Sequence, residues 1–371
     1  MKLKPWIFVS VAATLAALCT QAVADDGSDF REVEGAVYTM SNATSGNQIL
    51  IFNRTANGRL TAAGEVATNG LGAGGSLDAL GSQGSLAQSD DQRWLLAANA
   101  GSNEISVMRI DSNHLEFHSK VSSGGTFPVS VAVFRDLVYI LNGGSAPNVA
   151  ANLAGFRLSF DGRLTPLPNS TRTLPSSAYA QVGFDQWGHN LLVTDKGGSK
   201  ILAFAVSSEG LPAASPAINT SSGAAPFGFG FDQRDHLLTV EAGANAVSSY
   251  TIEPGDGLKA ISASVANGQK ASCWIATNGS RFLFTANPGS STLSSFKLDT
   301  ATGSVSLLAA SAGMVGKPLD IATTRNGHYL YALDAGNLQI DAFEVGRDGK
   351  LTSLGPVNGG FAIYAQGLVV H

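Results

Sequence analysis

Cysteine is nearly absent from this chain of 371 residues, which has only Cys19 and Cys273. Cys19 falls within a segment of secretory character: Lys2 and Lys4 precede an apolar run from Trp6 to Leu18 that ends in Ala22-Val23-Ala24, a small-x-small cleavage pattern. Removing residues 1–24 leaves Cys273 alone, so an intramolecular disulfide is excluded and stability must come from burial. Leu18 before Cys19 is too bulky for a lipoprotein cleavage site. After Leu18 no run approaches the roughly twenty apolar residues of a bilayer-spanning helix, so no membrane span is expected. Charge is also scarce, at 14% of residues with a net of −5, and there is no basic run. That excludes the electrostatic footprint of a nucleic-acid partner. The histidines, at 114, 118, 189, 236, 328 and 371, are scattered, and no Ser-His-Asp or Cys-His arrangement emerges. Helical periodicity is missing as well.

Glycine, in contrast, is abundant, with 43 residues, and short alternating runs such as Trp94 to Ala98 and Phe282 to Ala286 dominate. This is a turn-rich all-β signature. The runs repeat as a unit: a strand, an Asx/Gly turn, an apolar strand ending in Asn, Asp or Glu, a Gly/Ser turn, a Val-x-x-Phe/Tyr strand, and a strand opening Leu-x-x-Leu. Four strands per unit describe a propeller blade. The polar residues closing the second strand are Asn42, Asn99, Asn142, Asp195, Glu241, Asn287 and Asp334. Seven such anchors predict seven blades in a single domain over 25–371. The two longest intervals contain insertions, Leu71–Gly84 and Ala146–Leu153, expected as surface loops. The first unit lacks its opening strand, and Ile363–Val370 resembles the opening strand of the fourth. The C-terminal strand is therefore expected to complete blade 1 and remove a free sheet edge.

The runs Gly188 to Phe204 and Gly279 to Phe296 resemble the lactonase-type seven-bladed propellers, a family that includes bacterial 6-phosphogluconolactonase and the fungal carboxymuconate-lactonising enzyme. The resemblance extends over essentially the whole chain after the leader. Family members often open one blade with Pro-His-Pro-His-Gln, where this chain has Ser177-Ala178-Tyr179-Ala180-Gln181 and keeps Gln181. The next blade typically opens Gly-Pro-Arg-His; here it reads Ala225-Pro226-Phe227-Gly228, without the Arg and His. The acidic residues closing the second strands of these two blades remain as Asp195 and Glu241. A His/Arg/Glu catalytic set does not transfer complete.

In a propeller blade the opening of the innermost strand and the end of the second strand share one face, around the mouth of the central channel. That face is expected to gather Gln181, Tyr179, Trp274, Asp320 and Gln366 with Asp195, Lys196, Glu241 and Asp334, and to hold the ligand pocket. Lactone hydrolysis needs a base to activate water and a donor for the oxyanion. Glu241 is the expected base, with Asp195 as second candidate. Lys196 or Gln181 would polarise the carbonyl, and Trp274 and Tyr179 would stack on a sugar-like ring. The competing role for each anchor is a turn cap, since Asx side chains bond local backbone. Channel oxygens could instead hold a divalent cation, but no compact ligand spacing supports a metal, so none is assigned. Histidines 189, 236 and 328 fall in the opposite-face hairpin turns. The resulting expectation is a monomeric, periplasmic or secreted lactonase for an unphosphorylated sugar lactone or related ring ester. The alternative is a non-catalytic propeller that binds a protein or envelope component.

Overall fold

The computed structural model describes residues 1–2, 33–112, 114–145, 149–175, 178–277 and 280–371. The leader segment expected at 1–24 lies almost wholly outside them. One compact unit spans Val33–His371, built from strands and turns. Its seven antiparallel sheets are the seven blades.

Blade 1 runs from Gln366–Val370, innermost, through Val33–Met40 and Gln48–Thr55 to Leu60–Ala67. Blade 2 opens with Leu86–Gln88, blade 3 with Pro128–Phe134, blade 4 with Tyr179–Phe184, blade 5 with Pro226–Phe231, blade 6 with Trp274–Thr277 and blade 7 with Pro318–Thr323. The outer strand of blade 3 is broken into Leu164–Pro166 and Arg172–Thr173, both paired to Asn152–Leu158. C-terminal closure of blade 1 is as expected: Thr39 pairs with Leu368 and Val37 with Val370, and Ala36 and His371 exchange backbone hydrogen bonds.

Each second strand is covered on both faces, which explains its unbroken apolar run. Trp94–Asn99, Leu137–Asn142 and Asn190–Asp195 are buried at every position. Outer strands such as Leu60–Ala67 are largely exposed. The hydrophobic cores accordingly lie between neighbouring blades.

All seven anchors are buried, and several cap the segments entering the blades. Asp334 accepts from the backbone N–H groups of Gly316 and Lys317, each at 2.8 Å. Asn42 Nδ2 donates to Tyr364 O at 3.0 Å and its Oδ1 accepts from Ala73 N at 2.8 Å. Glycine is required opposite several anchors, because a Cβ on Gly316 would come within 2.8 Å of Asp334.

The two insertions behave differently from a plain surface loop. Within the second, Ser145 and Val149 form a bridge, and Ala151 and Leu153 are buried. The first corrects the expectation more sharply: residues 78–84 enter the mouth of the channel. Ser82 Oγ donates to Val129 O of blade 3 at 2.7 Å, and Gln83 N to Ala180 O of blade 4 at 3.1 Å. The Gln83 amide also forks onto the backbone of Ile275 in blade 6, at 3.1 and 2.8 Å. Leu80, Ser82 and Ser85 are buried.

Candidate active site at the channel mouth

Antiparallel register sets the site. Tyr179 faces Asp195, Pro226 faces Glu241 and Met40 faces Gln366, so inner-strand openings and second-strand ends do share a face. The insertion meets them there. Gln366 accepts from Leu80 N at 2.8 Å through Oε1 and donates to Asp78 Oδ1 at 2.5 Å through Nε2. Lys196 Nζ donates to Gly81 O, stands 5.0 Å from the centre of the Phe227 ring and interacts electrostatically with Asp78. Phe227 packs edge-on against Trp274, with centroids 5.3 Å apart, and Trp274 Nε1 donates to Ser82 O at 2.9 Å. Asp320 is fully enclosed and accepts from Ile321 N and Leu368 N at 2.9 and 3.0 Å.

Burial acts on each titrating group. It pushes the Asp78 carboxyl up to about 6, against the opposing pull of the Gln366 hydrogen bond and the Lys196 charge. Asp320 is pushed up to about 8, first by burial and last by the nearby Asp78 charge. Burial lowers the Lys196 ammonium, which the Asp78 charge partly restores. The Cys273 thiol, partly buried beside them, is raised to about 12 and stays protonated at neutral pH.

The sequence-read residues thus divide. Lys196, Asp320, Gln366 and Trp274 converge on the insertion. Gln181 is close by but committed: its amide forks onto Phe229 N and O at 2.8 and 3.1 Å, tying blade 4 to blade 5. Tyr179 is buried in the core between blades 3 and 4. Asp195 caps its own turn by accepting from Gly198 N at 2.9 Å. Glu241 is fully enclosed, and its Oε1 accepts from Ser221 Oγ, Gly223 N and Ser248 Oγ at 2.9, 2.6 and 2.8 Å. Ser221 and Gly223 belong to the segment joining blades 4 and 5 and Ser248 to the third strand of blade 5, and Glu241 occupies the same position as the other anchors. Asp78 was missed. It is the one charged residue between Leu71 and Gly84, but the repeat register does not place that insertion.

Among the described residues no cluster of three or more His, Cys, Asp or Glu side chains could hold a metal. The channel oxygens of Asp78, Asp320 and Gln366 also share their field with the Lys196 ammonium, a poor environment for a divalent cation.

A seven-bladed propeller with an acid–base cluster at its channel mouth is the class that fold and site define. The family resemblance read from the repeats is shown: residues 181–362 match the family model described as Lactonase, 7-bladed beta-propeller. Two similar solved structures cover 91% of this chain and 98% of their own at 16% identity and TM-score 0.71. They are a putative 6-phosphogluconolactonase from Bacteroides fragilis and the periplasmic gluconolactonase of Pseudomonas aeruginosa. A third, a functionally unknown protein from Desulfotomaculum acetoxidans, matches at 12% identity and TM-score 0.69, covering 91% of this chain and 98% of its own. At such identities these likenesses establish the fold. No curated protein matches in sequence.

Proposed function

We propose that this protein is an exported lactonase-like hydrolase acting on an unphosphorylated sugar lactone, with Asp78 as general base and Lys196 as the cationic partner. The observation that carries the reading is the convergence of Asp78, Gln366 and Lys196 on one short segment of the channel mouth, where the Asp78 carboxyl, raised to about 6 by burial, lies in the field of the partly desolvated Lys196 ammonium without a direct ion pair between them. The family match supports the reaction class, and the periplasmic gluconolactonase neighbour supports both the substrate class and the compartment. A phosphorylated substrate is disfavoured because Lys196 is the sole cation of the described cluster, whereas phosphate recognition ordinarily uses several charge-assisted donors.

In this reading Asp78 takes a proton from water as the oxygen attacks the lactone carbonyl carbon. The developing oxyanion is stabilised by the Lys196 ammonium. Collapse of the tetrahedral intermediate breaks the ring C–O bond, and Asp78 returns its proton to the departing alkoxide. The product is the open hydroxy acid, which releases a proton to solvent at neutral pH.

Proton release by the purified protein over five- and six-membered aldonolactones tests this, with the spontaneous rate subtracted. Asp78→Asn is expected to lose on the order of 10²-fold in kcat, the usual scale of a general base, and Lys196→Met a similar factor. Activity of the wild type should rise with pH and reach half its plateau near pH 6, where the Asp78 carboxylate forms. The second reading, a binding propeller without catalysis, is favoured by the insertion that fills the mouth. A folded protein that accelerates no lactone in the panel would select it.

A further inference from the structure

On the face opposite the site, the hairpin turns of blades 2, 3 and 4 hold two adjoining grooves of about 300 and 440 Å³. They share Arg135 and Asp136, which form the turn between Phe134 and Leu137. Each groove has an aromatic wall that stands out of the protein: Phe160 is 83% exposed in the first and Trp187 is 61% exposed in the second. Aromatic side chains ordinarily bury most of their area, so both rings are left in water at a cost.

Both stand on turns closed by hydrogen bonds. The Trp187 turn is closed by Gly188 N donating to Asp185 O at 3.2 Å and by His189 N donating to Asp185 Oδ1 at 2.8 Å. The Phe160 turn is closed by Gly162 N donating to Ser159 O at 2.9 Å, and the Arg93 guanidinium covers one ring face, 3.9 Å from its centre. Between the rings, Arg135 has a φ of 54°, a left-handed conformation that glycine or asparagine would take with less strain. Gln92 and Asp235 take the same conformation in the corresponding hairpin turns of blades 2 and 5, with φ of 61° and 69°.

The lining is charged yet balanced. Arg93 pairs with Asp91 at 2.7 Å and Arg157 with Asp136 at 2.9 Å, and Asp90 accepts from Arg135 N at 2.7 Å. The Arg135 guanidinium itself lies over the Phe134 ring, 5.0 Å from its centre; across the two linings the guanidinium charges of Arg93, Arg135 and Arg157 are matched in number by the carboxylates of Asp90, Asp91 and Asp136, which leaves little net field for a phosphate or polyanion. A protein interface would instead need an apolar centre and on the order of 1,000 Å², whereas here charged groups separate the two rings.

We infer that these paired grooves bind a short neutral oligosaccharide, with the C–H face of one sugar ring stacked on Trp187, another on Phe160, and hydroxyls bonded to Arg135 and Asp136 between them. Carboxylates accept hydroxyl protons and guanidiniums bond hydroxyl oxygens, so a balanced set suits an uncharged polyol. The site is independent of the channel-mouth chemistry.

Calorimetric titration of the purified protein with malto- and cello-oligosaccharides tests it, with oligogalacturonate as the charged comparison. Saturable binding of a neutral probe is expected. Trp187→Ala and Phe160→Ala should each weaken it at least tenfold, with lactone hydrolysis and thermal midpoint unchanged. Arg135→Gly should also weaken binding while holding or raising the thermal midpoint, because the backbone strain is relieved; a purely structural Arg135 would not show that split. Absence of saturable binding by every neutral probe, binding that the two aromatic variants leave intact, or tighter binding of oligogalacturonate would each overturn the inference.

Discussion

Asp78 and Glu241 are both acids on the channel-mouth side of the propeller, and their surroundings set them apart. Glu241 has three donors within 2.9 Å on one oxygen and none on the other among the described residues. A Cβ on Gly223 would collide with that second oxygen. Glu241→Gln would place an amide N–H₂ there without an acceptor, so a loss of about 1–3 kcal/mol is expected in denaturant unfolding, with lactone turnover per folded molecule retained. Collapse of turnover without loss of stability would return the base to Glu241. The sequence points to Glu241 as the base, yet the Ser221–Gly223 segment is shaped to receive its side chain. Lys196, Gln366 and Asp320 were legible because the repeat register alone places them on one face. Asp78 was not, since its position depends on where an insertion lies.

At the scale of elements, the repeat announced the blades through their buried second strands and polar anchors. The insertion carries no such pattern, and the interval length alone marks it as a surface loop. Small residues are what a chain needs to pass between inner strands: Gly81 and Gly84 have φ of 57° and 81°, and a Cβ on Gly81 would lie 2.6 Å from Lys196 Nζ. The departures from the family's Gly-Pro-Arg-His opening have the same origin. Gly228 stands where the family has histidine, and any Cβ there would strike the Gln83 amide. Phe227, in the arginine position, packs between Trp274 and Lys196. Motif loss and insertion are thus complementary. Gly228→Ala is expected to destabilise by about 1–3 kcal/mol through overpacking, and adding Gln83→Ala should recover part of it in a double-mutant cycle. The closing strand is a further element-level test, since Leu368 is buried in the core that joins blades 5 to 7 with blade 1. Leu368→Ala should cost about 2–4 kcal/mol. Truncation from Phe361 should leave a protein without a cooperative thermal transition.

Among the described residues, four carboxyls hold protons more tightly when folded than when unfolded, Asp235 and three with larger shifts. Asp78 is raised to about 6, Asp341 to about 7 and Asp320 to about 8, each chiefly by burial. The stability they lend is complete below the unfolded carboxyl range near 4 and is lost as pH rises to about 8. The thermal midpoint should therefore fall between pH 5 and pH 8, and Asp320→Asn should flatten that fall. An unchanged slope in the variant would contradict the assignment. Hydrolysis and stability then pull in opposite directions with pH, because ionised Asp78 serves the first and protonated carboxyls serve the second.

The seam that closes blade 1 also governs how the fold is reached and lost. Asn42 bonds Tyr364 across 322 positions of sequence, so the ring joins only when segments far apart in the chain meet, and loop-closure entropy must be met before those contacts form. Folding should be slow, with the seam formed after blades 2 to 7. In reverse, the seam is a barrier rather than merely a contact. If it forms after the folding transition state, stabilising it would slow unfolding with little effect on the folding rate, and survival in a protease-rich surrounding would follow the lifetime of this one join.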